Sequence, residues 1–201
     1  MLSIGHSKHP IERFVQLLKR HGVEALIDVR SVPYSRFSPQ FSIHALRTSV
    51  VAAGCEYVFL GKELGGRPEG REFYDDEGHV LYGRRAEVPE FLAGIERLAA
   101  EAGRRRVAMM CSEEDPETCH RRLLVGRALE RRGIVVDHIR GDGRLQPESE
   151  LAPLGGRQGA LFGADDAAWK SKRPVQPARA QADAPSTSKP QAQVGKRPRR
   201  P

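Results

Sequence analysis

"RRVAMMCSEEDPETCHRRLLVGRALERRGIVVDHIR", residues 105–140, decides the reading of the fold. It runs from an apolar strand, "RRVAMMC", through a polar loop into a helix, and from the helix into a second apolar strand, "IVVDHIR". Asp115 is placed to cap the helix, and Pro116 suits its first position, where a missing N–H costs no hydrogen bond. Gly133 marks the end. Strands this continuously apolar are covered on both faces, as in parallel sheets.

The same alternation extends outward from this stretch. "MLSIG" is a strand, and "HPIERFVQLLKRHG" a helix with Ile11, Phe14, Val15, Leu17 and Leu18 on one stripe. "VEALIDV" and "CEYVFLG" are strands separated by the helix "IHALRTSVVAAG", and "PEFLAGIERLAAEAG" is a further helix. The expected fold is α/β: a mostly parallel sheet of about five strands with helices on both faces, in one domain over residues 1–150. Residues 61–87 hold six glycines and two tyrosines and are too long for a simple connection. They are expected to form a flap over a site.

A chain of 201 residues with 39% hydrophobic content can bury one real core. It shows no apolar run of signal or membrane-spanning length, so a cytoplasmic protein is expected. Cys55, Cys111 and Cys119 are an odd number in such a chain, which favours reduced thiols over a disulfide framework. The net charge of +7 lies wholly in residues 155–201, with ten Lys or Arg against three Asp, leaving 23 basic and 23 acidic residues before them. Residues 151–201, rich in Pro, Ala, Lys and Arg, are expected to be a disordered basic tail. Such a tail can bind nucleic acid or another acidic partner, or act only as a solubilising appendage. "GALFGADDAAW" is its one apolar patch and a candidate for docking on the domain.

In an open parallel sheet, ligands bind beyond the carboxyl ends of the strands. His6 follows the first strand there, Asp28, Arg30, Tyr34 and Arg36 the second, and Cys111 and Glu113 the fourth. Cys119, His120 and Arg121 fall in the expected first turn of the following helix. One rim therefore collects a candidate catalytic set (His6, Asp28, Cys111, Glu113, Cys119) and a candidate anion-binding set (Arg30, Arg36, His120, Arg121).

"IGHS", "DVRSVPYSRFSPQFS", "YVFLGKELGG", "MMCSEEDPETCHRRLLVGRAL" and "VVDHIRGDG", in that order, resemble the family called domain of unknown function 488, over about residues 2–143. The resemblance implies that His6, Asp28, Arg30, Cys111, Glu113, Cys119, His120 and Arg121 stand at motif positions. It implies no particular reaction. A fainter likeness, through "LIDVR" and a strand ending in Cys111, is to rhodanese sulfurtransferases. Three carboxylates in "SEEDP" oppose a thiolate at Cys111 and count against that alternative.

Adjacent helical residues diverge by about 100°, so Cys119 and His120 are not expected to face one another. The C-x7-C-H spacing matches no common zinc pattern and shows no fourth ligand, so no metal and no cofactor are expected. The favoured reading is a small enzyme acting on a phosphorylated, nucleotide-like or nucleic-acid substrate. Arg30, Arg36, His120 and Arg121 would hold the anion, Asp28, Glu113 and His6 would move protons, and Tyr74 or Tyr82 would stack on a base. The alternative is a non-catalytic nucleotide- or nucleic-acid-binding module.

Overall fold

Strand sequences without a polar face bury both faces, and the central strands here do so completely. A computed structural model describes residues 1–154 and 169–178. In chain order the first elements are β1 (Leu2–Gly5), α1 (Ile11–Arg20), β2 (Ala25–Asp28), α2 (Ile43–Ala52) and β3 (Glu56–Phe59). Two short helices follow, α3 (Gly61–Leu64) and α4 (Tyr82–Ala86), and then the long α5 (Pro89–Arg104). The chain continues through β4 (Val107–Cys111), α6 (Arg127–Glu130), β5 (Asp137–Ile139) and β6 (Leu145–Gln146).

The sheet order is β3-β2-β4-β1-β5-β6, parallel from β3 to β5. β6 is an antiparallel sixth strand of two residues that the sequence does not announce, because the tight turn after Ile139 returns it to the edge. β4 sits between β1 and β2, although β1 and β2 are consecutive in sequence. The carboxyl ends of all three therefore meet at the position where chain order reverses, the place where α/β sheets hold ligands.

Alternate residues of the central strands feed two cores. Ala25, Ile27, Val107 and Met109 pack on one face with α5 and with Leu123 to Leu129. Leu2, Ile4, Leu26, Ala108 and Met110 pack on the other with Phe14, Leu17 and Leu18 of α1 and Leu46 and Val50 of α2. Cys55 belongs to this second core, as a small buried apolar side chain.

Three expectations are corrected. The helix expected from Pro116 does not run through Cys119: Asp115 caps only the 3-10 turn Pro116–Thr118, its side chain accepting from the Glu117 N–H. Cys119 is extended (φ −103°, ψ 139°), and a helix starts afresh after His120 as a π-helical run, Arg121–Gly126, that continues into α6. Residues 61–87 are not an open flap. Tyr74, Val80 and Tyr82 are buried in the first core, because their apolar bodies offer more contact there than over solvent.

The domain also does not stop at residue 150. Trp169 is 3% exposed, donates its indole N–H to the Leu123 carbonyl at 2.5 Å, and lies under the guanidinium groups of Arg127 and Arg131 at 4.7 and 4.6 Å. Lys170 bridges to Leu81 and the Val175 N–H bonds to Gly78, so residues 169–178 run along residues 78–81. Of "GALFGADDAAW", the first ten residues lie outside the described residues, as does the expected tail beyond residue 178.

Candidate functional site: a cleft at the carboxyl edge of the sheet

The loops after β1 and β4 are tied together by backbone bonds, from His6 N–H to the Cys111 carbonyl and from Ser7 N–H to the Ser112 carbonyl, both 2.9 Å. They meet at Gly5, where a Cβ would stand 1.8 Å from the Glu113 carbonyl oxygen, so any side chain there would push the loop away. Below the loop, Arg121 is fully buried and donates to the carbonyls of Glu113 and Glu114, and through Nε to the Ser3 hydroxyl. All three guanidinium nitrogens are thereby engaged, two by backbone carbonyls and one by Ser3. Arg121 holds the loop from below and does not itself line the cleft, where the expected anion-binding set had put it.

β2 supplies a second buried unit. Asp28 is completely buried and its carboxylate accepts from Arg30 Nε (2.9 Å), Arg30 Nη2 (2.6 Å) and the Tyr57 hydroxyl (2.7 Å). Arg30 Nη1 points to His6 Nε2 at 3.3 Å. Burial and the facing Arg30 lower the His6 pKa to about 4. His6 is then neutral near pH 7, with Nδ1–H donating to the Ser7 carbonyl (2.8 Å) and Nε2 accepting from Arg30. Its ring stacks on Phe41 at 4.2 Å.

The third unit is the cysteine cluster. The sulfurs of Cys111 and Cys119 both approach Glu113 Oε2, at 2.9 and 3.1 Å. His120 Nε2 bonds the Val29 carbonyl at 2.9 Å, which leaves Nδ1 facing the two sulfurs at 3.4 and 3.9 Å. The extended conformation of Cys119 brings its sulfur and the neighbouring imidazole to one side, contrary to the divergence expected within a helix. Gly66 packs against that imidazole.

The electrostatics of the cluster follow from these contacts. Burial raises the Cys111 thiol, and its bonds to Cys119 and Glu113 raise it further. For Cys119, burial is outweighed by the bond from Cys111, the charge of Arg121 and the bond to His120, so its pKa is lowered. Desolvation of Glu113 is similarly outweighed by the Cys111 bond, the His120 charge and the Cys119 bond, which hold it at about 2. Negative charge is stabilised on the cluster as a whole.

These units border one cleft of about 320 Å³. Arg30, Cys111, Glu113 and His120 line it, so four of the expected residues converge. Asp28 stands behind Arg30, and His6 reaches the cleft only through Arg30. Arg36 does not join them; it is exposed, over the ring of Phe37 at 5.2 Å. Tyr82 lines the cleft from within the core, and Tyr34, 63% exposed, borders its mouth. Arg67 and Arg173 also line it; both are exposed and neither guanidinium has an ion-pair partner among the described residues. Sequence reasoning missed both. Arg67 lies in the glycine-rich segment and Arg173 in the basic one, and only folding brings them to the same rim.

Compared with known proteins, residues 10–128 match the family described as domain of unknown function DUF488. The chain belongs to the DUF488 family. The match covers more than half of the chain and spans the Asp28–Arg30 unit, Arg67 and the whole cysteine cluster, but not His6 or Arg173. No curated protein and no solved structure matches the chain. The likeness of this DUF488 chain to rhodanese finds no support: a carboxylate, not a cradle of backbone N–H groups, faces Cys111. Among the described residues no helix is long and apolar enough to cross a membrane.

Proposed function

We propose that this protein is a small enzyme acting on a phosphorylated or nucleotide-like substrate in the cleft at the carboxyl edge of its sheet. The observation that carries the reading is the meeting of two unpaired guanidinium groups, Arg67 and Arg173, with the Cys111, Glu113 and His120 side chains in that cleft. Guanidinium groups recognise phosphate oxygens in a planar, two-pronged way. The acid, thiol and imidazole below them are groups that do chemistry on what the arginines hold. Exposed Tyr34 at the mouth offers a stacking face for a base in place of the buried Tyr74 and Tyr82.

Calorimetric titration of the full chain with inorganic phosphate, nucleotides and short oligonucleotides tests the reading. The double variant R67A/R173A should bind about ten- to a hundredfold more weakly, as two charge-assisted contacts are worth about 1.5–3 kcal/mol each before solvent screening. Wild-type affinity in that variant, or no binding of any member of the panel, would overturn it. The second reading, a nucleic-acid-binding module, is favoured by the concentration of the +7 net charge beyond residue 154. An affinity that falls steeply with salt for oligonucleotides only, and loses that slope on removal of residues 179–201, would select it.

A further inference from the structure

Cys111 and Cys119 are buried, yet neither belongs to either apolar core, unlike Cys55. Their sulfurs instead converge on one carboxylate oxygen and one imidazole nitrogen. The four donor atoms, Cys111 Sγ, Glu113 Oε2, Cys119 Sγ and His120 Nδ1, all lie within 4.8 Å of one another. Zinc bonds of about 2.0–2.3 Å in a tetrahedron put ligand atoms roughly 3.3–3.8 Å apart. The contacts of 2.9 and 3.1 Å fall below that range, 3.4 Å falls within it and 3.9 Å just above it, so small side-chain shifts close the shell.

We propose that Cys111, Glu113, Cys119 and His120 form a zinc site at the floor of the cleft, with Glu113 closing it on the cleft side. Two thiolates and an imidazole suit zinc over magnesium or calcium, which take oxygen ligands. The surroundings are those of a held ligand set. The His120 Nε2–H bond to the Val29 carbonyl fixes the ring and its tautomer, the outer-shell arrangement that metal-bound histidines use. Arg121 and the close approach at Gly5 fix the backbone of Glu113. Three anionic ligands exceed the charge of one zinc ion by one, and buried Arg121, whose guanidinium bonds carbonyls and a hydroxyl and no carboxylate, stands nearby to offset it. Glu113 is the one exposed member, so water or a substrate oxygen can replace it, as at zinc sites that keep an exchangeable position.

A second group, Asp75, Glu77 and His79, also gathers donors within reach of one another, but Asp75 is already engaged by Lys170 and by the N–H groups of Glu77 and His79. It serves as the control. The zinc site deepens the enzyme reading without depending on it, since metal binding is measured with no substrate present.

The test is titration of the chelator-treated full chain with Co²⁺, followed by displacement with Zn²⁺. One equivalent of cobalt should give thiolate-to-cobalt charge-transfer absorption and the intense visible bands of tetrahedral cobalt, and zinc should bleach both. C119S and C111S should each reduce the charge-transfer band. E113Q, altered at an exposed position, should keep the band while weakening zinc binding at least about tenfold, the loss seen even for outer-shell changes. D75N should change nothing. Circular dichroism distinguishes a lost site from a lost fold; if both Cys variants unfold, E113Q against D75N decides alone. Weak octahedral cobalt spectra, zinc affinity unchanged in E113Q, or binding abolished by D75N would overturn the site. Zinc binding with no phosphate or nucleotide binding would leave the metal site standing and remove the substrate reading.

Discussion

Gly66 lies against His120 so closely that a Cβ on residue 66 would stand 2.5 Å from the imidazole Cγ. The glycine-rich "GKELGG" stretch thus sets the position of a ring whose Nδ1 faces both site cysteines.

G66A should therefore act on the site before it acts on the fold. The added methyl must displace the imidazole, an overpacking cost of about 1–3 kcal/mol. Ligand or metal binding in the cleft should fall while circular dichroism stays native. Native binding in G66A would mean that the ring moves without consequence.

D28N should destabilise the protein by about 3–5 kcal/mol, because it leaves the buried Arg30 guanidinium facing a neutral amide. Replacing both partners, as in D28N/R30M, should recover much of that loss, since no charge is then left buried alone. Urea unfolding of the two variants checks it. A double variant no better than D28N would show that Tyr57 and His6, not the pair, demand these residues.

W169A should cost about 3–5 kcal/mol, the range for emptying a large aromatic site. W169F should lose less, as it keeps the ring under Arg127 and Arg131 and forfeits only the bond to Leu123. Thermal melts of both variants measure this. Melting unchanged in W169A would return residues 169–178 to the status of an appendage.

Acid should expose the role of Glu148, which accepts from Arg122 Nε (2.8 Å) and bonds the buried His138 (2.8 Å). Desolvation of Glu148 is outweighed by His138 and Arg122, and its pKa is lowered. A lowered carboxyl pKa stabilises the fold above the ordinary value of about 4.3 and loses that contribution as pH falls through the folded one. E148Q should thus be less stable than wild type near pH 7, by about 2 kcal/mol for charged hydrogen bonds. The gap should close below about pH 4. A gap independent of pH would point to lost packing instead.

The sequence alone determined five of the six strands, the helices α1, α2 and α5, and the edge at which the polar residues collect. Continuous apolar runs have only one way to be buried, between two layers of helices, and the parallel connection puts Asp28, Cys111 and His6 at the same ends. Motif order likewise pointed to the family that residues 10–128 match. Tertiary structure decided what each side chain does there. Arg121 and Arg36 carry the same charge in the same region, yet one is spent on loop carbonyls and the other lies over Phe37, a difference of burial that no local pattern encodes. Glu113 completes a four-donor cluster because Cys119 leaves the helix by one extended residue, while capping by Asp115 and Pro116 suggested an uninterrupted helix. Arg67, Arg173 and Trp169 reach their places through contacts across more than thirty positions of sequence. Such contacts depend on shape and desolvation in the assembled fold, so they are settled only when the chain closes on itself.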